Sequence, residues 1–202
     1  MIFSNKCMNI GLFFGSFNPI HIGHLALAEY MLEYTAMEKI WFVVSPQNPL
    51  KSKDSLLADH HRLEMVHLAV HDDNRFRVSD IEFRMPQPSY TIDTLSYLEE
   101  KYPEHKFSLI LGADNLSSFY KWKNAELIIQ KYHRYVYPRY NDSGEELPVS
   151  QNLTIVNAPR IEISSSFIRQ AIKEGKSVKY FLPEKVFEYL DKMNFYKEKN
   201  KY

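Results

Sequence analysis

The chain has 202 residues, which suffices for one ordinary domain with a single buried core, so we expect one functional site. Its 25 basic and 25 acidic residues cancel, which argues against an overall attraction to nucleic acid or to an anionic membrane; any affinity for phosphate must be local. The sequence shows no apolar run long enough to span a membrane and no secretory pattern, and its one cysteine, Cys7, excludes an internal disulfide framework, so we expect a cytoplasmic protein.

A strand, a turn and a helix are predicted in direct succession near the start of the chain. The apolar run at residues 10–14 ends in Gly-Ser and Asn-Pro, which is typical of a buried strand entering a turn. Leu25, Ala28 and Leu32 then recur at helical spacing, which predicts a helix over residues 22–34. The turn between them lies at the carboxyl end of the first strand.

The rest of the chain continues to alternate between strands and helices. Further strands are predicted at residues 40–44, 76–78, 107–111, 132–137 and 153–156. Further helices are predicted at residues 59–71, with Asp59 as a cap, and at 90–102, 124–130, 165–174 and 183–193. This alternation favours an α/β fold with a doubly wound parallel sheet in a single domain. We expect residues 1–7 to be an N-terminal extension, 8–196 the domain and 197–202 a frayed tail.

The turn after the first strand has the composition of a phosphate site. In an open parallel sheet, ligands sit beyond the carboxyl ends of the strands, and Gly15 and Gly23 let the backbone of this turn approach a ligand closely. If the helix begins near residue 22, its free N–H groups and the positive end of its dipole attract an anion. His21 and His24, three residues apart, then point from one face toward that anion. The alternative from the residues alone is that the two histidines only cap the turn.

Five motifs carry a resemblance to a known family. The string GSFNPIHIGH at residues 15–24 resembles the signature of the nucleotidyltransferase superfamily that shares its histidine motif with class I aminoacyl-tRNA synthetases. PRIEISSSFIR at residues 159–169 looks like the second signature of the small adenylyltransferases. PSYTIDT at 88–94, LGADNL at 111–116 and Trp122 stand in the order seen in bacterial nicotinate-nucleotide adenylyltransferases. The chain therefore resembles that family over nearly its whole length, with a Rossmann-like nucleotidyltransferase fold.

The resemblance implies a reaction and its catalytic residues. AMP would pass from ATP to nicotinate mononucleotide, giving nicotinate adenine dinucleotide and pyrophosphate on the route to NAD. His24 and Arg169 match residues at the ATP phosphates and the transition state, and His21 matches one on the side of the α-phosphate. Besides these three residues, the ATP-binding positions that the resemblance implies are Gly15, Ser16, Phe17, Gly112, Asp114, Ser164, Ser165 and Ser166. Mg²⁺ would arrive with ATP and bridge phosphate oxygens, with few ligands from the protein.

The acceptor-binding residues are implied in the same way. Tyr90, Thr91 and Ile92 match a segment that holds the pyridine carboxylate by hydrogen bonds, and Trp122 matches a ring that stacks on the pyridine. Lys51 can reach a substrate phosphate. Each role has a simpler alternative: Trp122 as a core residue, Lys51 as a solvated loop residue.

The phosphate-binding residues at the other motifs have simpler alternatives as well. The three serines can act only as an N-cap, and Asp114 can be a solvated loop residue. Two departures from the family pattern stand out: Phe14 replaces a usual glycine, and Ser166 replaces a usual threonine.

Three other functions compete with this interpretation. A class I synthetase would need a Lys-Met-Ser-Lys-Ser loop, a long insertion and a tRNA-binding domain, for which 202 residues leave no room. A related transferase could act on a coenzyme A precursor or make cytidylyl alcohols. A non-catalytic nucleotide sensor could keep the ATP-binding residues and lack turnover. The motif at residues 88–94 and Trp122 count against the related transferase. His21, His24 and Arg169 count against the sensor.

Four histidines between residues 60 and 71 form the remaining candidate metal site. His67 and His71 share one helix face, four residues apart, as zinc ligands can. No acidic partner accompanies them in a known zinc motif, so we expect His60, His61, His67 and His71 to lie on a solvated helix without metal.

Overall fold

A computed structural model of the chain describes residues 6–46, 56–138 and 151–198. No helix in these three ranges is both long and apolar enough to cross a membrane.

The described residues form one parallel sheet of six strands. The strands are β1 (Asn9–Gly15), β2 (Lys39–Val44), β3 (Phe76–Ser79), β4 (Lys106–Gly112), β5 (His133–Tyr137) and β6 (Leu153–Ile155). Their order across the sheet is β3-β2-β1-β4-β5-β6, and every neighbouring pair is parallel. The prediction of a doubly wound parallel sheet is therefore confirmed.

The helices lie between the strands and, in the case of the last two, after β6. They are α1 (Ile22–Tyr34), α2 (Asp59–Val70), α3 (Thr91–Lys101), α4 (Leu116–Phe119), α5 (Ala125–Lys131), α6 (Ser165–Lys173) and α7 (Glu184–Lys192). Sequence periodicity located all of these except α4, which is too short to show a repeat. Three 3₁₀ turns were also not predicted, at Ile81–Arg84, Ala113–Asn115 and Lys179–Phe181.

Hydrophobic residues pack on both faces of the sheet. Because side chains alternate along a strand, Phe13 of β1 faces a core built with α1, α2, α6 and α7, while Leu12 faces one built with α3 and α5. The central strands are consequently apolar on both sides, as is typical of a parallel sheet.

Two expectations about α2 are wrong. Ala58, and not Asp59, is the N-cap residue, and the Asp59 carboxylate instead accepts a hydrogen bond from Arg62 at 2.5 Å. The four histidines were expected to lie on a solvated helix, but α2 packs against α7 and His61 lies in that contact. His61 Nδ1 lies 2.8 Å from the Tyr189 hydroxyl. His60 and His67 are exposed, as predicted.

Candidate active site

The carboxyl ends of β1 and β4 define the topological switch point of the sheet. From β1 the chain proceeds outward through β2 and β3 on one side, and then returns to β4 on the other side of β1. Loops that leave the two strands diverge there and open a crevice, where ligands bind in this architecture. Gly15 and Gly112, two of the predicted ATP-binding residues, end these two strands.

Residues 16–21, which follow β1, are called the signature loop below. Its Phe17 has a φ of 43° and a ring that is only 2% exposed, packed 5.6 Å from the Phe42 ring and 5.2 Å from that of His24. A Cβ on Gly15 would lie 2.8 Å from the Phe17 ring. The packing of Phe17 thus favours a glycine here, and the expected close approach of a ligand stays a prediction. Any contact of Phe17 with ATP would come from its main chain.

The two histidines stand at the beginning of α1. His21 is the N-cap residue, and its backbone N–H donates to His24 Nδ1 at 3.2 Å. The rings stack with their centroids 3.8 Å apart. Because Nδ1 of His24 accepts a hydrogen bond, its neutral ring carries the proton on Nε2, the atom farther from the backbone. The two histidines therefore do cap the turn, as the alternative proposed, through His24 Nδ1. The same hydrogen bond makes Nε2 of the neutral His24 ring a donor.

Gly23 makes room for the His21 ring. A Cβ at this position would lie 3.0 Å from His21 Nδ1 and 3.1 Å from the Ile161 side chain. The backbone N–H groups of Ile22 and Gly23 belong to the first turn of α1, which has no acceptor within the helix. A small residue here therefore lets the His21 ring lie against a helix N-terminus.

The beginning of α6 docks on the signature loop. Ser164 is its N-cap, and its hydroxyl accepts the N–H of Phe167 at 3.2 Å, so the capping alternative holds for this serine. Ser165 donates to the carbonyl of Pro19 at 2.8 Å, and Arg169 donates to the carbonyl of Asn18 at 2.8 Å. The N-termini of α1 and α6 thus meet, although the two motifs lie about 150 positions apart. Ser166 is exposed.

A buried arginine that sequence reasoning missed, Arg62, donates a hydrogen bond to the main chain of the signature loop. The Arg62 side chain on α2 has no exposed surface, and it donates to the carbonyls of Ser16, Ser45, Pro46 and Leu57 and to the Asp59 carboxylate. Burial lowers the pKa of this guanidinium, and the hydrogen bond that it donates to the Asp59 carboxylate opposes the shift. Its spacing from Met65 and Val66 places it on the apolar stripe of α2, which is the signal that could have found it.

The predicted acceptor-binding residues gather at the beginning of α3. Tyr90 is the N-cap residue, and its carbonyl accepts the N–H groups of Asp93 and Thr94. The N–H groups of Thr91 and Ile92 therefore belong to the turn that has no acceptor within the helix. The Ile92 side chain is 3% exposed, so only its main chain can face a ligand.

The loop that carries Trp122 is joined to α3 by Lys123. Its ammonium group lies 2.8 Å from the Asp93 carboxylate and 4.9 Å from the centre of the Tyr90 ring. Trp122 packs on Phe119 with ring centroids 4.9 Å apart and stays partly exposed. It therefore has both a core contact and an accessible surface.

Glu82, a second residue that the sequence did not reveal, is buried beneath this region. Thr94 of α3 donates to its carboxyl at 2.9 Å, and the hydroxyls of Ser45 and Ser89 also hydrogen-bond to it. Burial raises the pKa of Glu82, and the three hydroxyl donors oppose that rise. The carboxyl links the end of β2 to the loop that enters α3.

The remaining predicted residues lie at the rim or outside the described ranges. Asp114 is exposed in the 3₁₀ turn after β4, and Asn115 donates to its carboxylate at 3.3 Å. Lys51 lies outside the described residues. Phe14 is part of β1, opposite Val43, and its side chain packs on the α3 face of the sheet.

Comparison with known proteins shows close relatives. Residues 12–171 match the cytidylyltransferase-like family. The chain is 53% identical over 193 residues to a probable nicotinate-nucleotide adenylyltransferase of Flavobacterium johnsoniae, with 95% of this chain and all of that protein covered. It is 49% identical over 187 residues to a protein of the same description from Bacteroides thetaiotaomicron, with 93% and 92% covered.

Solved structures share the fold. The nicotinic acid mononucleotide adenylyltransferase of Plasmodium falciparum, complexed with NaAD, superposes with a TM-score of 0.75 and covers 94% of this chain and 97% of its own. The sequence identity is 21%, so this likeness is one of architecture.

Proposed function

The chain belongs to the nicotinate-nucleotide adenylyltransferase family within the cytidylyltransferase-like proteins, and from this membership we infer that it transfers AMP from ATP to nicotinate mononucleotide. The products are nicotinate adenine dinucleotide and pyrophosphate, and the reaction belongs to NAD biosynthesis. Membership shows the reaction class; the roles of individual residues below are proposals.

The docking of α6 on the signature loop carries the assignment of residues. It bonds Arg169 to the signature loop, which leads into the stacked rings of His21 and His24 at the N-terminus of α1. Such N-termini offer main-chain donors and positive potential to phosphate oxygens. We propose that this cluster binds the triphosphate of ATP, with Arg169 holding phosphate by its planar fork and Ser165 fixing the loop.

The chemistry asks for positioning more than for proton transfer. The phosphate of the acceptor is a monoester with a second pKa near 6, so it is already an anionic nucleophile at neutral pH. It attacks the α-phosphorus in line, and pyrophosphate leaves without a covalent enzyme intermediate. His24 Nε2–H and Arg169 would donate to the oxygens on which charge develops, and His21 would act on the side of the α-phosphate.

Mg²⁺ fits this site as a companion of ATP. Among the described residues, no group of three or more histidine, cysteine, aspartate or glutamate side chains is arranged to hold a metal. The donor set therefore suits an ion bound mainly by phosphate oxygens, and Asp114 at the end of β4 is the nearby carboxylate we would assign to it or to the ribose. The ion would neutralise phosphate charge.

The beginning of α3 is the proposed acceptor site. The Thr91 and Ile92 N–H groups would bind the nicotinate carboxylate, and the accessible surface of Trp122 would stack on the pyridine. An amide in place of the carboxylate would have no negative charge for this helix N-terminus, so the site favours the acid.

The test is an assay of purified protein with ATP and Mg²⁺, in which nicotinate mononucleotide and nicotinamide mononucleotide are offered in parallel and the dinucleotides are separated by chromatography. We expect the nicotinate product to form faster. No product from either, with product from a phosphopantetheine or cytidylyl acceptor, would support a related transferase. ATP binding with no product from any acceptor would support a nucleotide sensor.

Two predictions from composition are tested separately. A cytoplasmic location can be checked by fractionation of cells that express the protein. The expected lack of affinity for nucleic acid can be checked by gel shift at low salt, where electrostatic binding is strongest.

A further inference from the structure

The residues after α7 turn back toward the signature loop. Phe195 packs against His61 with ring centroids 4.6 Å apart, and Tyr196 follows with a φ of 62°, in the left-handed region that a tyrosine rarely adopts. The hydroxyl of Tyr196 donates to Asn18 Oδ1 at 2.5 Å, across 178 positions of sequence. A backbone held in this way indicates that the contact is specified by its surroundings.

Asn18 is the junction that Tyr196 reaches. Its side-chain oxygen also accepts the N–H of Leu57 at 3.2 Å, and its main-chain carbonyl accepts Arg169 at 2.8 Å. The residue is only 3% exposed. One residue of the signature loop is therefore bonded to the beginning of α2, to α6 and to the segment after α7.

The Tyr196 hydroxyl is suited to remain a donor. Its ring lies close enough to Arg62 and Arg169 for their charges to act on it, yet burial dominates and raises the pKa of the phenol. It therefore stays protonated at any pH at which the protein works. Without this donor, the Asn18 side chain would lose one of the hydrogen bonds on its Oδ1, and the carbonyl that holds Arg169 would be less well placed.

We propose that Tyr196 is a positioning residue for adenylyl transfer, which acts through Asn18 to hold the signature loop and Arg169 in the geometry that binds the phosphates of ATP. This inference rests on the proposed function, because it assigns Arg169 to those phosphates. A tyrosine that served only to fill the core would stabilise the fold without changing the affinity for ATP or the rate of adenylyl transfer.

The experiment compares Tyr196→Phe with the matched variant Tyr189→Phe. Tyr189 is also a partly buried tyrosine on the same C-terminal part of the chain, and its hydroxyl is bonded to His61 on α2 and not to Asn18. For Tyr196→Phe we expect kcat/KM for ATP to fall about tenfold, the value of one well-placed hydrogen bond, with KM for nicotinate mononucleotide unchanged. For Tyr189→Phe we expect both kinetic constants to stay within about twofold of the wild type, whatever happens to the thermal midpoint.

A double variant tests whether Tyr196 acts through Asn18. In an Asn18→Ala background, Tyr196→Phe should cause no further loss, because the acceptor of its hydrogen bond is already gone. Equal kinetics for Tyr196→Phe and the wild type, or a full tenfold loss that persists in the Asn18→Ala background, would overturn the proposal.

A binding measurement separates this inference from the proposed function. Titration of each variant with a non-hydrolysable ATP analogue measures binding at the phosphate site without any turnover. We expect the Kd to rise for Tyr196→Phe and to stay unchanged for Tyr189→Phe. If the wild type binds the analogue but makes no dinucleotide, the proposed function fails, and the binding comparison still decides the role of Tyr196. Equal analogue affinity for Tyr196→Phe and the wild type would overturn the proposed role of Tyr196.

Discussion

The two ends of the proposed site are built differently. At the phosphate end, Arg62, Arg169 and Ser165 donate to main-chain carbonyls of the signature loop from two separate helices. At the acceptor end, the loop of Trp122 is joined to α3 by an ion pair whose side chains are 45% and 42% exposed. Buried hydrogen bonds to main chain fix a geometry, whereas an exposed ion pair adds little rigidity. The phosphate end is thus preorganised, and the acceptor end can adjust.

The largest effect is expected from loss of the buried arginine. Arg62→Met would leave the carbonyls of Ser16, Ser45 and Pro46 without this donor, and removal of one partner from a buried charged network costs about 3–5 kcal/mol. Urea unfolding followed by tryptophan fluorescence measures the loss. The matched control is Arg75→Met, which removes an arginine bound to three carboxylates at the surface.

We expect a much smaller change for Arg75→Met, because exposed ion pairs are screened by solvent. Equal destabilisation by the two variants would contradict the view that the phosphate end is held by buried contacts.

The next effect is on catalysis at the same end. His24→Ala should lower kcat by about two to three powers of ten with a smaller change in KM, as for loss of a donor to the transition state. His67→Ala is the control, since His67 is an exposed histidine on α2 that belongs to neither signature. Steady-state kinetics with both substrates measures the two variants. A normal kcat for His24→Ala would remove this residue from the mechanism.

A smaller effect is expected at the acceptor end. Trp122→Ala should weaken binding of nicotinate mononucleotide by about 1–3 kcal/mol, if the ring stacks as aromatic residues do on bases, and should leave KM for ATP unchanged. Trp122→Phe should recover part of the affinity, because it keeps an aromatic face.

Isothermal titration with the acceptor gives these affinities directly. Tyr180→Ala serves as the control, because this ring is 85% exposed and belongs to neither end. If Trp122→Ala lowered the stability of the fold and left acceptor affinity unchanged, Trp122 would be a core residue and the contrast between the two ends would be weaker.

The contrast also explains what the sequence could predict. Strands, helices and the two signatures were readable, since apolar periodicity and turn residues are local patterns. The contacts of Arg62, Glu82 and Tyr196 were not, because each joins residues that are distant in sequence and none belongs to a recognisable motif. Ser164 and Phe17 show a further limit. The sequence allowed any of three serines to cap the helix, and the fold identifies Ser164 as the one that does; the motif gave the position of Phe17, and only the fold shows its ring in the core.

The smallest effect is a dependence of stability on pH, and it arises at the acceptor end. Burial raises the pKa of Glu82 in the folded protein above its ordinary value of 4.5. The folded state therefore binds this proton more tightly than the unfolded state does, so the contribution of Glu82 to stability is complete below pH 4.5 and is lost as the pH rises through the folded pKa.

Glu82→Gln removes the titration. The free energy of unfolding of the wild type relative to this variant should fall with rising pH and then level off, in urea titrations from about pH 3 to about pH 8. Glu174→Gln tests the sign, since bonds from Lys176 and Gln170 lower the pKa of Glu174 and predict the opposite slope below pH 4.5. Parallel curves for the wild type and Glu82→Gln would show that Glu82 has the same pKa in both states, and its burial beneath α3 would then make no contribution to the pH dependence of stability.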